Sequence, residues 1–573
     1  MQAERQFWGL REQPFFLLLA ILIGVLSGLA VVCFRLLIEF IRLELLGSSL
    51  HPPALRVLLA PSLAGLLIAA LVIWFFPRVR GSGVNQTKSA VYIYDGYIPF
   101  RTVIGKFSLS ALAVGSGHSL GPEDPSLQVG AGLASAIGLR LGLSRNRLRL
   151  LAPLGAAAGL AAAFNAPISA VLFVIEEVIG NWSAGVLGAV VLSAVSSVVI
   201  SRWFFGAEPL FQAPQFQLKD PLELTAYAAL GIVGGLVSVL FVKLVLAARQ
   251  RLKQLPRWTQ YLQPGVAGLL VGLIGLRFAE VMGAGYHTID QAMHDQYTWK
   301  ILLALALAKL VATMMSFVSG TPGGMFAPTL FMGAMLGGAV GGVEHIVFPH
   351  LTGSVGAFAL VGMGTMFAGI LRAPLTSVFM MLEVSGNYDI IIPVIISNTL
   401  AYVISRSMQR VPIFDALSRQ DGLDLPSMEE QREEVLLRVE DAMRAPDLPV
   451  FLGVQQVEEV RRRLAEAGAD HFLVSFSDGS WAYGDALHLD EKFRQGLGSN
   501  TLDSCWPDSR LPHLHPDHPL DIALRYKDWP VVPVVHRANF SQLVGLISLN
   551  DVLRAYAIKP SDVLEHISVR QEL

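Results

Sequence analysis

Residues 14–34 and 55–76 are apolar almost without interruption, and each run is long enough to supply the ~20 residues a membrane-crossing helix needs. From residue 103 onward the runs shorten and are cut by Gly or Pro: 107–114, 127–139, 150–163 and 168–175. Each falls below ~20 residues, which predicts half-helices or re-entrant pieces. Longer runs return at 186–205, 224–247 and 264–281. Past Arg406 the pattern changes. Residues 435–443, 457–467 and 520–526 have helical apolar spacing, whereas 472–474, 531–535 and 543–547 read as short strands. This mixed pattern occurs twice, which predicts a membrane domain over residues 1–415 followed by two small α/β units over 416–573.

The membrane part repeats its own grammar. Gly115-Ser116-Gly117-His118-Ser119-Leu120-Gly121-Pro122-Glu123-Asp124-Pro125 interrupts the apolar pattern in one half, and Gly320-Thr321-Pro322-Gly323-Gly324-Met325-Phe326-Ala327-Pro328 does so in the other. Further on, Phe164-Asn165-Ala166-Pro167-Ile168-Ser169 matches Leu371-Arg372-Ala373-Pro374-Leu375-Thr376, and an acid follows each Pro at the same distance, Glu176 and Glu383. Corresponding broken segments in two halves are the mark of inverted repeats with a binding site at their interface, near the membrane midplane. The expected fold is therefore an all-α polytopic membrane protein with inverted internal repeats and broken helices, carrying a soluble α/β tail.

Composition agrees: 53% of residues are hydrophobic and 15% charged, against ~25% charged in an ordinary soluble domain. A net charge of −2 with no basic tract gives no sign of a nucleic-acid partner. Cys33 and Cys505 are the two cysteines, so no disulfide framework is implied. No small-residue cleavage site follows residues 14–34, so that run reads as a first membrane helix; Arg5 and Arg11 before it favour a cytoplasmic N-terminus. The basic clusters at 140–149 and 249–257 are candidate cytoplasmic loops. An odd number of crossings in each repeat would put the tail on the N-terminal side.

The glycine turns at 81–83, 115–121 and 320–324 have one physical use, letting backbone N–H groups approach something closely. Helix starts carry partial positive charge without a Lys or Arg, so they hold an anion without trapping it, and such multi-site holding suits conduction or transport. Pro122-Glu123-Asp124 has the chemistry of a first helical turn. Glu123 reads either as a cap of its own helix or as a gate that competes with an anion for N–H groups and leaves when protonated. Ser82 reads as a packing serine or as a donor to the ion. Glu176 and Glu177 either mark a membrane exit or include a proton carrier; about 100° of helix separates them, so one of them can face a given pathway. No nucleophile elbow, metal-binding His pair or phosphate-binding Lys loop supports an enzyme.

These residues closely resemble the CLC family of chloride channels and chloride/proton exchangers, over roughly residues 15–420. The family signature Gly-Ser-Gly-Ile-Pro corresponds to Gly81-Ser82-Gly83-Val84-Asn85, Gly-Arg-Glu-Gly-Pro to Gly121-Pro122-Glu123-Asp124-Pro125, and Gly-x-Phe-x-Pro is intact as Gly324-Met325-Phe326-Ala327-Pro328. The resemblance implies that Ser82, Gly121, Glu123, Met325 and Phe326 surround the anion, that Glu123 is the outer gate, and that Glu177 passes protons inward. It also implies a homodimer without catalytic residues, with chloride and protons as its partners. Asn85 for Pro, Pro122 for Arg and Asp124 for Gly depart from the pattern. The family's ion-binding tyrosine falls on Phe414, which lacks the hydroxyl, so weaker central anion binding and looser coupling are expected.

The tail resembles a pair of cystathionine-β-synthase-type (CBS) domains. Gly545-Leu546-Ile547-Ser548-Leu549-Asn550-Asp551 fits the terminal signature, which implies Ser548 and Asp551 as contacts for an adenine nucleotide; a purely structural tail is the other reading. The function expected from the resemblance is exchange of chloride, or a similar monovalent anion, for protons across a bacterial inner membrane with both termini cytoplasmic. The alternative is a passive voltage- or pH-gated chloride channel.

Overall fold

A computed structural model of the chain describes residues 12–48, 53–180, 184–213, 221–348, 354–423, 425–426, 437–506 and 510–556. Contacts divide it into two compact units, Met1–Arg432 and Glu433–Leu573.

The first unit is helical. In order it contains α1 (Glu12–Leu45), α2 (Ala54–Trp74), α3 (Gly83–Tyr92), α4 (Phe100–Gly115), α5 (Glu123–Arg140), α6 (Arg145–Phe164), α7 (Pro167–Phe173, extended by a wider turn over Val174–Ile179) and α8 (Ala184–Phe205). The second half follows with α9 (Glu223–Gln254), α10 (Gln263–Gly275), α11 (Tyr286–Met293), α12 (Trp299–Val318), α13 (Phe326–Val347), α14 (Val355–Leu371), α15 (Pro374–Ser385), α16 (Ile391–Met408) and α17 (Ile413–Gln420). Eight described helices are long and apolar enough to cross a membrane. With the exposed Leu, Ile, Val and Phe side chains of α1, α2, α8 and α9, they make this an integral, multi-pass membrane protein.

The half-helix expectation for residues 150–163 needs correction. The helix there runs Arg145–Phe164 and is itself long enough to span, because the polar Arg145–Arg149 turn continues it beyond the apolar run. Conversely the apolar stretch 264–281 does not stay helical. It ends at Gly275, passes through a 3₁₀ turn at Ala279–Val281, and meets a glycine turn at Gly283 and Gly285, both with positive φ. Arg5, Arg11 and residues 435–436 lie outside the described residues.

The repeat is visible in how helices end. The chain leaves α6 through Asn165 and α14 through Arg372, both left-handed (φ 56° and 59°), and Pro167 or Pro374 then opens the next helix. A left-handed residue closes a helix and Pro suits a first turn, so the same local chemistry breaks both halves at the same place. The tightest packing is also duplicated. A side chain on Gly130 or Gly155 would strike the other's backbone between α5 and α6, and Gly333 and Gly362 stand in the same relation between α13 and α14. Small residues at such crossings bring the backbones close where lipid offers no hydrophobic drive.

The second unit is α/β. It contains α18 (Val439–Ala442), β1 (Val450–Leu452), α19 (Val457–Ala467), β2 (His471–Ser475), β3 (Trp481–Asp485), α20 (Ala486–Arg494), α21 (Leu502–Cys505), β4 (Arg510–Leu511), a 3₁₀ segment Leu520–Tyr526, β5 (Val532–His536), β6 (Asn539–Ile547) and α22 (Leu549–Ala555). Strands β1 to β4 form one sheet in sequence order, β1 and β2 parallel, and β5 pairs antiparallel with β6. The strands expected around 472–474, 531–535 and 543–547 are present. Residues 520–526 wind as 3₁₀ helix, the tighter form that short connectors use.

Candidate functional site

Four of the helices begin or end at one place. Gly121 and Gly324, the corresponding glycines of the two signatures, bond to each other: each N–H donates to the other's carbonyl at 2.9 Å. That bridge fixes the starts of α5 and α13 side by side. A Cβ on Gly121 would meet the Glu123 carboxylate and crowd Ala327 at 3.0–3.1 Å, so a larger residue there would push Glu123 off its seat.

Glu123, the first residue of α5, is fully buried. Its Oε2 accepts the Ala327 N–H at 3.3 Å, so the carboxylate sits on the positive end of α13, and Oε1 has no hydrogen-bond partner. Met325 and Phe326, at the same helix start, are buried, and the Phe326 ring is enclosed by Phe164, Phe173 and Phe367. Ser82 caps α3 by accepting the Val84 N–H at 3.1 Å. Phe414 is buried in the first turn of α17, and its carbonyl accepts the side-chain N–H of Asn85 at 2.9 Å. The departure at Asn85 thus has a use a proline lacks, tying the start of α3 to the start of α17.

A cavity approaches this centre from each side. One, of about 460 Å³, is lined by Arg80, Ser82, Asn85, Gln128, Arg249 and Ser319. The other, of about 890 Å³, is lined by Arg35, Gly117, Pro122, Glu280 and Tyr286. Glu123, Asp124 and Phe326 line neither cavity and are fully buried. Arg35 of α1 acts electrostatically on Glu123, so a cation returns to the mouth where Pro122 supplies none.

The adjacent acids Glu176 and Glu177 are separated by geometry. Glu176 reaches the other repeat, where it accepts from Thr376 N (2.9 Å), Thr376 Oγ1 (2.7 Å) and Leu375 N (3.3 Å) at the start of α15. Glu383 returns the contact at the start of α7, accepting from Ile168 N (2.9 Å), Ser169 N (2.7 Å) and Ser169 Oγ (2.6 Å). These two carboxylates are reciprocal helix caps. Glu177 turns to the buried Lys88, 3.2 Å away, which also holds Asp415 at 2.7 Å.

Residue-by-residue reading of the sequence missed that cluster and a second symmetric pair. Lys106 donates to the Gly81 (2.7 Å) and Val79 (3.3 Å) carbonyls, and Lys309 to the Gly283 (2.7 Å) and Val281 (2.9 Å) carbonyls. Both lysines are fully buried, and Lys106 stands as far before Pro125 as Lys309 does before Pro328. A lysine inside an apolar helix is costly enough to be a signal by itself, and it was legible in the sequence. In the tail, Asp551 accepts from Ser548 N (2.8 Å) and Ser548 Oγ (2.6 Å), forming the capping box of α22.

Broken helices from two repeats, meeting over buried carboxylates between two cavities, define an integral membrane protein of the inverted-repeat class. A profile described as "Voltage gated chloride channel" matches residues 64–406, and the chain belongs to that family. It is 34% identical over 437 residues to an H(+)/Cl(-) exchange transporter ClcA of Vibrio vulnificus, covering 72% of this chain and 92% of the relative. It is 32% identical over 424 residues to a putative chloride channel protein ClcB-like of Ralstonia nicotianae, covering 72% and 99%. Among solved structures, a slow cyanobacterial Cl-/H+ antiporter aligns with a TM-score of 0.65 at 24% identity, over 71% of this chain and 97% of that one. A eukaryotic CLC transporter aligns with a TM-score of 0.62 at 19% identity, over 95% and 99%. These likenesses establish the fold.

Proposed function

We propose that the chain is a secondary active transporter that exchanges chloride, or a similar monovalent anion, for protons. The observation that carries this is the Glu123 carboxylate seated on the Ala327 N–H at the start of α13, buried between two cavities. As a carboxylate it occupies the donors an anion would use; once protonated it loses the charge that holds it and frees them. Ser82, Gly121, Met325, Phe326 and Phe414 surround the anion in this reading, and Glu177 passes the proton inward. Exchange is also what the names of the ClcA relatives state of those proteins.

The transport domain is residues 1–415 together with the rest of α17, to Gln420, working as a homodimer in a bacterial inner membrane with cytoplasmic termini. The exposed Ile168 and Leu375, equivalent positions beside the reciprocal caps, suit a self-complementary apolar contact; light scattering in detergent should give the mass of two chains. The second unit, Glu433–Leu573, forms a CBS-like pair in which Ser548 and Asp551 meet an adenine nucleotide. Calorimetric titration with ATP, with Asp551→Ala as control, tests that assignment.

Purified protein in liposomes with a chloride gradient tests the exchange. Uphill proton movement is expected, abolished in Glu123→Gln. Chloride flux with no proton movement would overturn exchange and leave the passive channel, a reading that Phe414, lacking the hydroxyl donor, would favour.

A further inference from the structure

The exchange mechanism leaves Asp124 without a role, although it is fully buried beside the gate. Its Oδ1 accepts the Val84 N–H at 2.8 Å, and Ser82 and Gly83 beside it favour its charged form. Its Oδ2 has no hydrogen-bond partner. The fit is close: a Cβ on Gly83 would come within 2.8 Å of Oδ1, and one on Gly324 within 2.5 Å of the Asp124 Cβ. Two consecutive acids therefore diverge from the first turn of α5, Glu123 to the start of α13 in one repeat and Asp124 to the start of α3 in the other. An anion held by Ser82 and Val84 would need the Val84 N–H that Asp124 already uses, at a distance where like charges exclude each other.

We propose that Asp124 is a second tethered competitor for the transported anion, so that the position at Ser82 and Val84 fills when Asp124 takes up a proton. The proposal rests on the exchange reading for the identity of the anion. The charged groups around Asp124 are consistent with a reversible protonation. From α4 the buried Lys106 acts on it, and Glu123 is its like-charged neighbour on α5. On α3 Lys88 is engaged by Glu177 and Asp415. The acid and the His of α13, Glu344 and His345, lie at the far end of that helix. Arg35 and Lys309 act on Glu123.

The test is chloride titration of the detergent-solubilised full chain by calorimetry between pH ~5 and ~8, in the Glu123→Gln background so that the first gate does not contribute. Asp124→Asn and Asp124→Gly should each bind chloride at least about tenfold more tightly than their parent at the alkaline end, and should lose the parent's tightening on acidification. Parental affinity and parental pH dependence in both variants would overturn the proposal. Should both variants misfold, the Glu123→Gln protein alone decides: chloride addition should produce an infrared band of a newly protonated carboxyl group, and its absence would overturn the proposal. The exchange reading fails separately, in liposomes, by chloride flux without protons, and that result leaves the binding comparison intact.

Discussion

At the scale of single residues, what a side chain faces decides between readings that sequence leaves open. Glu176 and Glu177 are neighbours with identical chemistry, yet one caps a helix of the other repeat and the other pairs with Lys88. Glu176→Gln should lower stability by roughly 1–3 kcal/mol, since donors at the start of α15 lose a charged acceptor, while proton coupling survives. Glu177→Gln should abolish proton movement in liposomes with little change in melting temperature, since Asp415 still neutralises Lys88. Equal loss of coupling in both variants would refute the assignment. Phe414→Tyr restores the hydroxyl. It should tighten chloride binding by about tenfold, near the low end of the ~1.5–3 kcal/mol for a hydrogen bond to a charged partner, and unchanged affinity would mean that residue 414 does not reach the ion.

At the scale of elements, the repeat is a set of helix ends that serve one another. Glu383 caps α7 and Glu176 caps α15, so each half completes the first turn of the other. Glu383→Ala leaves the Ile168 and Ser169 donors unmatched in a partly buried site, and should cost roughly 1–3 kcal/mol. Thermal unfolding in detergent measures this, and a melting point within error of the parent would show that water replaces the carboxylate. The breaks themselves were readable as sequence, because Ala-Pro after an Asn or Arg is local chemistry. The fourth glycine turn, at Gly283 and Gly285, was not. It follows an apolar run long enough to pass for part of a spanning helix, and its equivalence to Gly81 and Gly83 shows in space, where Lys309 and Lys106 bond to matching carbonyls.

At the scale of the whole molecule, the two compact units obey different physics. In the tail, burial and the neighbouring His515 hold His513 below its ordinary 6.5, and burial with His515 does the same for His518. Histidines with lowered values bind fewer protons folded than unfolded, so their contribution is present above pH 6.5 and is lost as pH falls below it. Hydrogen exchange on the full chain should show protection falling on acidification in β5, whose Val535 carbonyl is bonded by His515 Nδ1 at 2.9 Å beside them, and constant protection would exclude His513 and His518 as the cause. In the membrane unit the sequence by itself determined the spanning character, the doubled grammar, the broken helices and the positions of Ser82, Glu123 and Phe326, because apolar run length, Gly and Pro act locally. Tertiary structure alone decided that Glu176 is a cap, that Asn85 holds α17, that Arg35 acts on Glu123 and that Asp124 occupies the start of α3. Each of those depends on which distant backbone group a buried charge or amide meets, and a buried polar group must find such a partner wherever the fold brings one.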